Sequence, residues 1–502
     1  MFGPDRICGV LAAETAEEMA RQLRWALRST RTVELRLDWL RDDRERLLFI
    51  GWLAVHRPRA TLIATCRRRI AGGRFPDGVA KQVVFLLLAM FSGCSWCDLE
   101  MEATAAFRAT KLKTHLDGSR LLVSFHDFQR TPRHLGATAR RLERCGGHAI
   151  KIATQCDSLA ESLRVLALAR GKRRVVAVPM GEVGLPARVL ALRAGSALAY
   201  GAVAAATAPG QLSLDEMKNL YRADRLDRRT RVYGVIGDPV VHSLSPLMHN
   251  VGFQECRMNA VYLPFRVRDL GDFLGAIRPL GIAGFSVTLP HKEKVLRHLD
   301  DCDPLAQAIG AVNTVVVRGG GKLYGYNTDY VGMLRALERR LRLRSSRVLL
   351  YGAGGAARAV AFALAQGGAV VCICARRFER ARALARAVGG QALQRARLRR
   401  EFFDAIVNAT PVGMYPRAAH APLDPAELNC RVVMDLVYRP MKTRLLRLAE
   451  RRRIETVSGV EMFVAQGTAQ WEIWTGVRAP VAAMRRAVLA ALEAEEAAAG
   501  HS

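Results

Sequence analysis

The sequence predicts a mixed α/β chain in two halves: a (β/α)8 barrel, then a second α/β unit that closes with a Rossmann-type domain. Three observations carry this. Short apolar runs alternate with helix-like stretches through the first half, at Val33–Leu37, Leu62–Thr65, Leu121–Ser124, Ala149–Ile152 and Val175–Val178. Strands at that spacing read as repeated βα units, and about eight of them fit before residue 215. A highly charged stretch, Asp215 to Arg231, expected to hold a helix plus a linker, then precedes a fresh α/β pattern starting at Val232, and a strand with a glycine-rich turn begins at Arg347. The expected division is a barrel over 1–215, a linker over 216–231, a substrate-binding α/β domain over 232–335 and a nucleotide-binding domain over 336–463. Helices over about 464–500 are expected to return to the substrate domain.

Composition narrows the class. Half of the 502 residues are hydrophobic and 7% aromatic, ordinary for an α/β protein. No apolar run approaches the ~20 residues of a bilayer span; Val83 to Phe91 is the longest and suits one buried element. The N-terminus MFGPDRICGV shows no charged region followed by a long apolar core, so the expected location is the cytoplasm. Eleven scattered cysteines with a single CxxC (Cys94, Cys97) fit neither a disulfide framework nor a four-ligand zinc site. The formal charge of +30 comes from 76 basic residues, only 10 of them Lys. They are spread over many helices, and aromatic stacking motifs and paired zinc ligands are absent from the sequence. Solvated faces therefore explain the charge better than nucleic-acid binding. A positive field also attracts small anions.

In the first half the polar residues gather at the ends of the predicted strands. Glu34, Arg36 and Asp38 alternate in VELRLD and share one strand face. Arg67 ends TLIATCR, Asp98 and Glu100 alternate in CDLEME, and His126 follows LLVSF. In a βα barrel the C-terminal strand ends form the active site. A lone His or a Glu/Arg alternation is usually structural. Lys151, inside the apolar run HAIKIA, is harder to dismiss, because burying it costs several kcal/mol unless it is paired or neutral. A desolvated lysine is also a competent nucleophile toward ketones.

ELRLD, TCR followed by GG, DLE, SFHDFQRTP, IKIAT, MGEVGLPAR and TAPGQ stand in this order over essentially residues 5 to 212. In these motifs the first half resembles the type I 3-dehydroquinate dehydratases. The resemblance implies that Lys151 forms an imine with the substrate ketone. It makes His126 the general acid/base, removing the C2 proton and helping to expel the C1 hydroxyl. Glu34, Arg36, Arg67, Arg188, Thr207 and Gln211 would hold the carboxylate and hydroxyls, with Arg188 the best clamp because a guanidinium donates two parallel hydrogen bonds. The chain departs from the pattern at Ala71, where many members carry a Glu thought to orient the histidine, and at Ala187 and Thr207, where Ser is common. Either another group stands in for that Glu or this half works more slowly.

The second half opens with YGVIGDPVVHSLSPLMHN. In an extended segment the hydroxyls of Ser243 and Ser245 face one way, toward a hydroxylated or carboxylated ligand; a turn and helix cap is the plainer alternative. GFSVTLPHK (Thr288, Lys292), AIGAVNTVV (Asn313) and GYNTDYVG (Asn327, Thr328, Asp329) follow. RVLLYGAGGAARAVAFALA runs a strand into Gly352, Gly354, Gly355 and Ala356, the context a dinucleotide fingerprint needs. The next strand, VVCICARR, ends in Arg376 and Arg377 and lacks the acidic residue that NAD enzymes place there, which favours the 2′-phosphate of NADP.

With NATPVGMYP (Asn408, Thr410, Gly413, Met414), MDLVYRPMKT (Asp435, Tyr438) and SGVEMFVAQG (Gly459, Met462, Gln466), residues from about Tyr233 to Arg486 resemble the shikimate dehydrogenases. That implies Lys292 and Asp329 as the catalytic pair and Ser243, Ser245, Thr288, Asn313, Tyr438 and Gln466 as substrate holders. Gly352, Gly354, Gly355, Ala356, Arg376, Arg377, Asn408, Thr410, Met414, Gly459 and Met462 would line the NADP site. Ser286 and Ala375 replace a frequent Asn each. The product of the first reaction, 3-dehydroshikimate, is then the substrate of the second. The expected partners are 3-dehydroquinate, 3-dehydroshikimate and shikimate, with no nucleic acid, membrane or metal, in a monomer or dimer. Two rivals remain, a quinate-preferring second half and a basic nucleic-acid-binding scaffold with degenerate sites. Ser243, Ser245 and Thr288 argue against the first.

Overall fold

The computed structural model describes residues 2–499, except 77, 110–119, 172–173, 205, 207, 209 and 415–417. Thr207 of the expected substrate site therefore lies outside the described residues. Contacts divide the chain into two compact units, 1–230 with 264–280, and 231–263 with 281–502.

In the first unit eight strands form a nearly closed parallel barrel: β1 (Ile7–Leu11), β2 (Thr32–Arg36), β3 (Thr61–Thr65), β4 (Trp96–Glu100), β5 (Arg120–Asp127), β6 (Ala149–Gln155), β7 (Val175–Met180) and β8 (Ala199–Ala202). The ladder runs β7-β6-β5-β4-β3-β2-β1-β8. Their Val, Ile, Leu and Ala content suits strands buried on both faces. Register does the positioning: Ser124 lies opposite Lys151, and His126 opposite Ala153. Ser124 and His126 therefore emerge on one face, one pleat apart. The apolar run at Val83 is a helix, Val79–Phe91, with Val83, Leu86, Leu87 and Met90 buried.

The charged stretch after residue 215 is partly helical. It holds a π-helical turn, Glu216–Leu220, and a 3-10 turn, Ala223–Arg225. Met217, Tyr221 and Ala223 are buried, and Arg193 of the helix Leu185–Ala194 donates to the Asp227 carbonyl. Three apolar anchors among many charges fasten this segment to the barrel unit.

The second unit carries two six-stranded sheets. The first contains β9 (Arg231–Gly237), β10 (Ala260–Arg266), β11 (Ile282–Val287), β12 (Asp301–Cys302), β13 (Thr314–Val317) and β14 (Leu323–Tyr326), in the order β10-β9-β11-β13-β14-β12. Its core joins Tyr233, Met248, Phe253 and Tyr262 to Val464, Trp471, Trp474, Met484 and Val488. The helices Gly459–Thr475 and Val481–Ala499 pack into this core. The second sheet contains β15 (Arg347–Tyr351), β16 (Val370–Cys374), β17 (Gln391–Ala392), β18 (Phe403–Asn408), β19 (Cys430–Asp435) and β20 (Glu455–Val457). Its order, β17-β16-β15-β18-β19-β20 with parallel pairing throughout, is the doubly wound Rossmann arrangement. Among the described residues no helix is long and apolar enough to cross a membrane.

One buried group ties the first of these sheets to pH. His249 is fully buried, its ring stacked 4.4 Å from Tyr262 and tilted 5.4 Å from Trp474. Burial pulls it down to about 3, whereas an unfolded histidine titrates near 6.5. Its contribution is therefore complete above pH 6.5 and is lost as pH falls from 6.5 toward 3, at about 1.4 kcal/mol per pH unit. His249→Phe, which keeps the stack, should flatten the acid dependence of the unfolding transition reported by Trp471 and Trp474 fluorescence. Equal slopes in the two proteins between pH 6.5 and 4.5 would contradict this.

Candidate active site

The first centre is a ring of buried charges inside the barrel. Lys151 on β6 is about 6% exposed, and its Nζ donates to Glu34 Oε1 on β2 (3.2 Å) and Asp98 Oδ2 on β4 (3.1 Å). Asp98 also accepts from Arg67 Nη2 (2.7 Å) and Ser124 Oγ (2.6 Å). Burial alone would raise the Asp98 carboxyl, but Arg67 and Lys151 beside it hold it well below the usual carboxylate range. Glu34 is fixed by Thr65 Oγ1 (2.8 Å). Arg36 is clamped by Asp38 through two bonds of 2.9 and 2.7 Å. Gly73 explains the glycines after TCR: a Cβ there would fall 2.1 Å from the Arg67 carbonyl, so only glycine lets the loop fold back over Arg67.

His126, one pleat beyond Ser124, stacks on Phe128 at 5.9 Å. Its Nδ1 is buried without a hydrogen-bond partner. Burial, then the Arg67 and Lys151 cations, hold the ring well below its ordinary value, so it stands as a neutral base. The carboxylate missing at Ala71 has no replacement bonded to Nδ1. Arg188 sits in the helix Leu185–Ala194 with Nε donating to the Pro179 carbonyl (2.7 Å). Burial lowers its guanidinium to about 10, a penalty that an arriving carboxylate would offset. Gln211 is half-buried.

The second centre pairs Lys292 with Asp329, Nζ to Oδ2 at 2.5 Å. Asp329 opens the helix Asp329–Glu338, where the helix dipole favours a negative charge. Asn313 Nδ2 donates to Asp329 Oδ1 (2.8 Å), while its Oδ1 accepts from the Thr328 amide (2.7 Å) and Thr314 Oγ1 (2.7 Å). Gln466 lies on the helix Gly459–Thr475, which crosses Asp329–Glu338 at Gly332. A Cβ at 332 would meet the Met462 carbonyl at 2.7 Å and the Gln466 nitrogen at 2.9 Å. Ser243 Oγ accepts from the Ser245 amide (3.3 Å), the local turn geometry of SLSP. Ser245 is buried and begins the helix Ser245–Glu255. Thr288 packs on Gly237, and Tyr438 stacks on Phe463 at 4.8 Å.

In the nucleotide domain Gly352 has φ +130°, and Gly354, with nothing near its Cβ position, leads into the helix Gly355–Gln366. Gly354, Gly355 and Ala356 are exposed, as are Arg376 and Arg377 after β16. That cradle fits a dinucleotide: open glycines at a helix N-terminus, and two cations where an acid would reject a phosphate. Asn408 accepts from the Thr410 amide and hydroxyl (3.0 and 2.7 Å) and donates to Asp435 Oδ1 (2.9 Å). It shapes the loop, at whose tip Met414 is 46% exposed. Gly459 packs on the Val437 carbonyl, and Met462 is buried in the Rossmann core. Among the described residues no cluster of His, Cys, Asp or Glu could hold a metal.

Sequence reasoning noted Asp98 without assigning it, and missed Ser124, Thr65 and Tyr200. The D-L-E alternation was the available signal for Asp98; Tyr200 had none.

The fold and these centres define a class: a lysine-centred (β/α)8 barrel joined to a two-domain nucleotide-dependent dehydrogenase. The type I 3-dehydroquinase family matches residues 7–228, the shikimate dehydrogenase substrate binding domain 235–315, and the shikimate 5′-dehydrogenase C-terminal domain 459–489. The bifunctional 3-dehydroquinate dehydratase/shikimate dehydrogenase of Arabidopsis thaliana, a chloroplastic protein, is 36% identical over 95% of this chain and 83% of its own. Shikimate dehydrogenase (NADP+) of Thermococcus kodakarensis is 47% identical over 52% of this chain and 97% of its own. A shikimate dehydrogenase structure in complex with NADP+ covers 53% of this chain and 97% of its own at 38% identity, TM-score 0.51. The chain belongs to the family of bifunctional 3-dehydroquinate dehydratase/shikimate dehydrogenases.

Asp98 is the carboxylate that two buried cations share. Breaking a buried pair by removing one partner typically costs about 3–5 kcal/mol. Asp98→Ala should lower the urea midpoint of the barrel transition accordingly, whereas Asp38→Ala, beside one cation only, should cost less. A neutral Asp98→Ala would remove the basis for the ring.

Proposed function

We propose that the barrel dehydrates 3-dehydroquinate to 3-dehydroshikimate through an imine on Lys151, and that the second unit reduces 3-dehydroshikimate to shikimate with NADPH at Lys292 and Asp329. The observation that carries the first step is the buried strand lysine held between two carboxylates, with a neutral histidine at the next inward position of the neighbouring strand. Lys151 Nζ passes a proton to a bonded carboxylate, the free amine attacks the C3 ketone, nitrogen hands a proton to the carbinolamine oxygen, and that oxygen takes the first proton back and leaves as water, giving an iminium. His126 takes a C2 proton, leaving an enamine. The enamine then expels the C1 hydroxyl, which departs as water with a proton from His126, and hydrolysis of the new iminium releases product. Arg188 receives the substrate carboxylate, and Glu34, Arg36, Arg67 and Gln211 frame its hydroxyls.

In the second unit the 2.5 Å Lys292–Asp329 pair sets the proton transfer. NADPH, when bound, supplies the hydride. Lys292 gives a proton to the substrate oxygen as it becomes a hydroxyl, and Asp329 holds the ammonium in place. Asn313 and Gln466 hold ring hydroxyls; Ser243, Ser245, Thr288 and Tyr438 take the carboxylate end. Arg376 and Arg377 receive the 2′-phosphate of NADP. Eleven free cysteines support the reducing cytoplasm as the location. Small molecules are the only partners invoked, with no nucleic acid, for a monomer or dimer.

The catalytic lysines lie in different units, so the activities should separate. Lys151→Ala should lose dehydration by several orders of magnitude and keep shikimate oxidation. Lys292→Ala should lose about 10²–10⁴-fold of the dehydrogenase and accumulate dehydroshikimate even with NADPH present. Borohydride added with dehydroquinate should mark Lys151. Either substitution abolishing both reactions in a protein that melts normally would refute two independent sites.

A charge-assisted phosphate contact is worth roughly 1.5–3 kcal/mol, about 10- to 150-fold in affinity. Replacing Arg376 and Arg377 together should raise the KM for NADP by that order and leave the KM for shikimate unchanged. Equal use of NAD by the unmodified enzyme would sink this assignment.

A further inference from the structure

Lys151 has a third neighbour that the mechanism above does not use. Its Nζ lies 4.3 Å from the ring centroid of Tyr200, over the face. Tyr200, on β8, is nearly fully buried, and its hydroxyl has no hydrogen-bond partner. A buried hydroxyl without a partner contributes nothing favourable and carries a desolvation cost. What this side chain offers the reacting nitrogen is its π face.

The number of N–H groups on that nitrogen changes during turnover. The free ammonium has three, enough to serve Glu34 and Asp98 together. An iminium carbon–nitrogen double bond leaves one. When C–N forms and water departs, Nζ must therefore give up at least one carboxylate hydrogen bond while remaining cationic. Attraction to the ring quadrupole needs no N–H and depends only on the positive charge lying over the face. Charge is lost when His126 takes the C2 proton and the enamine forms. It returns to nitrogen as the C1 hydroxyl leaves with a proton and the enamine lone pair becomes the C=N bond. The ring thus favours both iminium states over the enamine between them: it opposes enamine formation and assists departure of the hydroxyl, and its benefit to turnover is exerted at that departure.

We propose that Tyr200 is a catalytic residue of the barrel, whose ring face, and not its hydroxyl, stabilises the iminium on Lys151. The proposal rests on the imine reading of Lys151 and adds a group to it.

The test measures dehydroquinate turnover in Tyr200 variants, with borohydride trapping alongside. Tyr200→Phe keeps the face and drops the idle hydroxyl, and should keep kcat within about twofold. Tyr200→Leu and Tyr200→Met should lose ~5- to 30-fold in kcat, the strength of a desolvated cation–π contact, with little change in KM. Because an aliphatic residue can disturb packing, a second series replaces Tyr200 by phenylalanines carrying one, two and three fluorines. These keep shape while weakening the ring quadrupole, and log kcat should fall stepwise. A flat fluorine series, or a Tyr200→Phe loss as large as that of Leu, overturns the role of the ring. Absence of a borohydride adduct on Lys151 in the unmodified enzyme overturns the underlying imine reading instead.

Discussion

The barrel centre depends on one carboxylate. Asp98 is buried on β4 and accepts from Arg67, Ser124 and Lys151 at once. Placing a lysine inside a barrel is costly in desolvation, and an arginine beside it adds repulsion. The Asp98 charge offsets both. Arg67 and Lys151 reach it from β3 and β6, on either side, so it also fixes how those strands face one another. Glu34 supports the lysine from β2, and its own bond from Thr65 sets the angle. His126 is held well below its ordinary value by burial first and then by the Arg67 and Lys151 cations. The environment that holds the buried lysine in place thus also keeps the neighbouring histidine neutral.

The two lysine centres solve different problems. Lys151 is almost sealed, and the imine proposed on it requires surroundings that tolerate a cation whose hydrogen-bonding capacity changes. Lys292 is about 25% exposed and meets one carboxylate at 2.5 Å. That pair needs only a stable direction for proton delivery. Asn313 holds Asp329 from one side, and the amides of Thr328 and Asp329 are held in turn by Asn313 and Asn327. A short, buried polar net therefore orders the second centre beneath a partly exposed lysine.

Much of this was legible in the sequence because strand alternation and motif order are local signals. VELRLD and HAIKIA each announce a polar residue within an apolar strand, and the strand–glycine–helix run at Gly352 announces the nucleotide cradle. What stayed hidden is long-range. Asp98 was one of two acids in a short alternation, and nothing local says that three donors converge on it. The Lys151–Tyr200 contact crosses the barrel interior, and the sequence AYGA reads only as another apolar strand. The segment after residue 215 could be expected to hold a helix, but its charges outnumber its anchors, Met217, Tyr221 and Ala223, so its attachment to the barrel unit was not legible. Arg36 and Arg67 could be named as cations but not seen to be already clamped by Asp38 and Asp98.

Gly332 shows how little slack the dehydrogenase centre has. It lies where the helix that opens with Asp329 touches the helix that carries Gln466, with bare backbone against bare backbone. Asp329, paired with Lys292, and Gln466, proposed to hold substrate, are consequently mounted on parts with no side chain of residue 332 between them to absorb an error. A single methyl group at this crossing would have to push the two helices apart, and the displacement would reach Asp329 three residues away. Absence of a side chain there acts as a machining tolerance, setting the fit of a site to which the glycine itself contributes no chemistry.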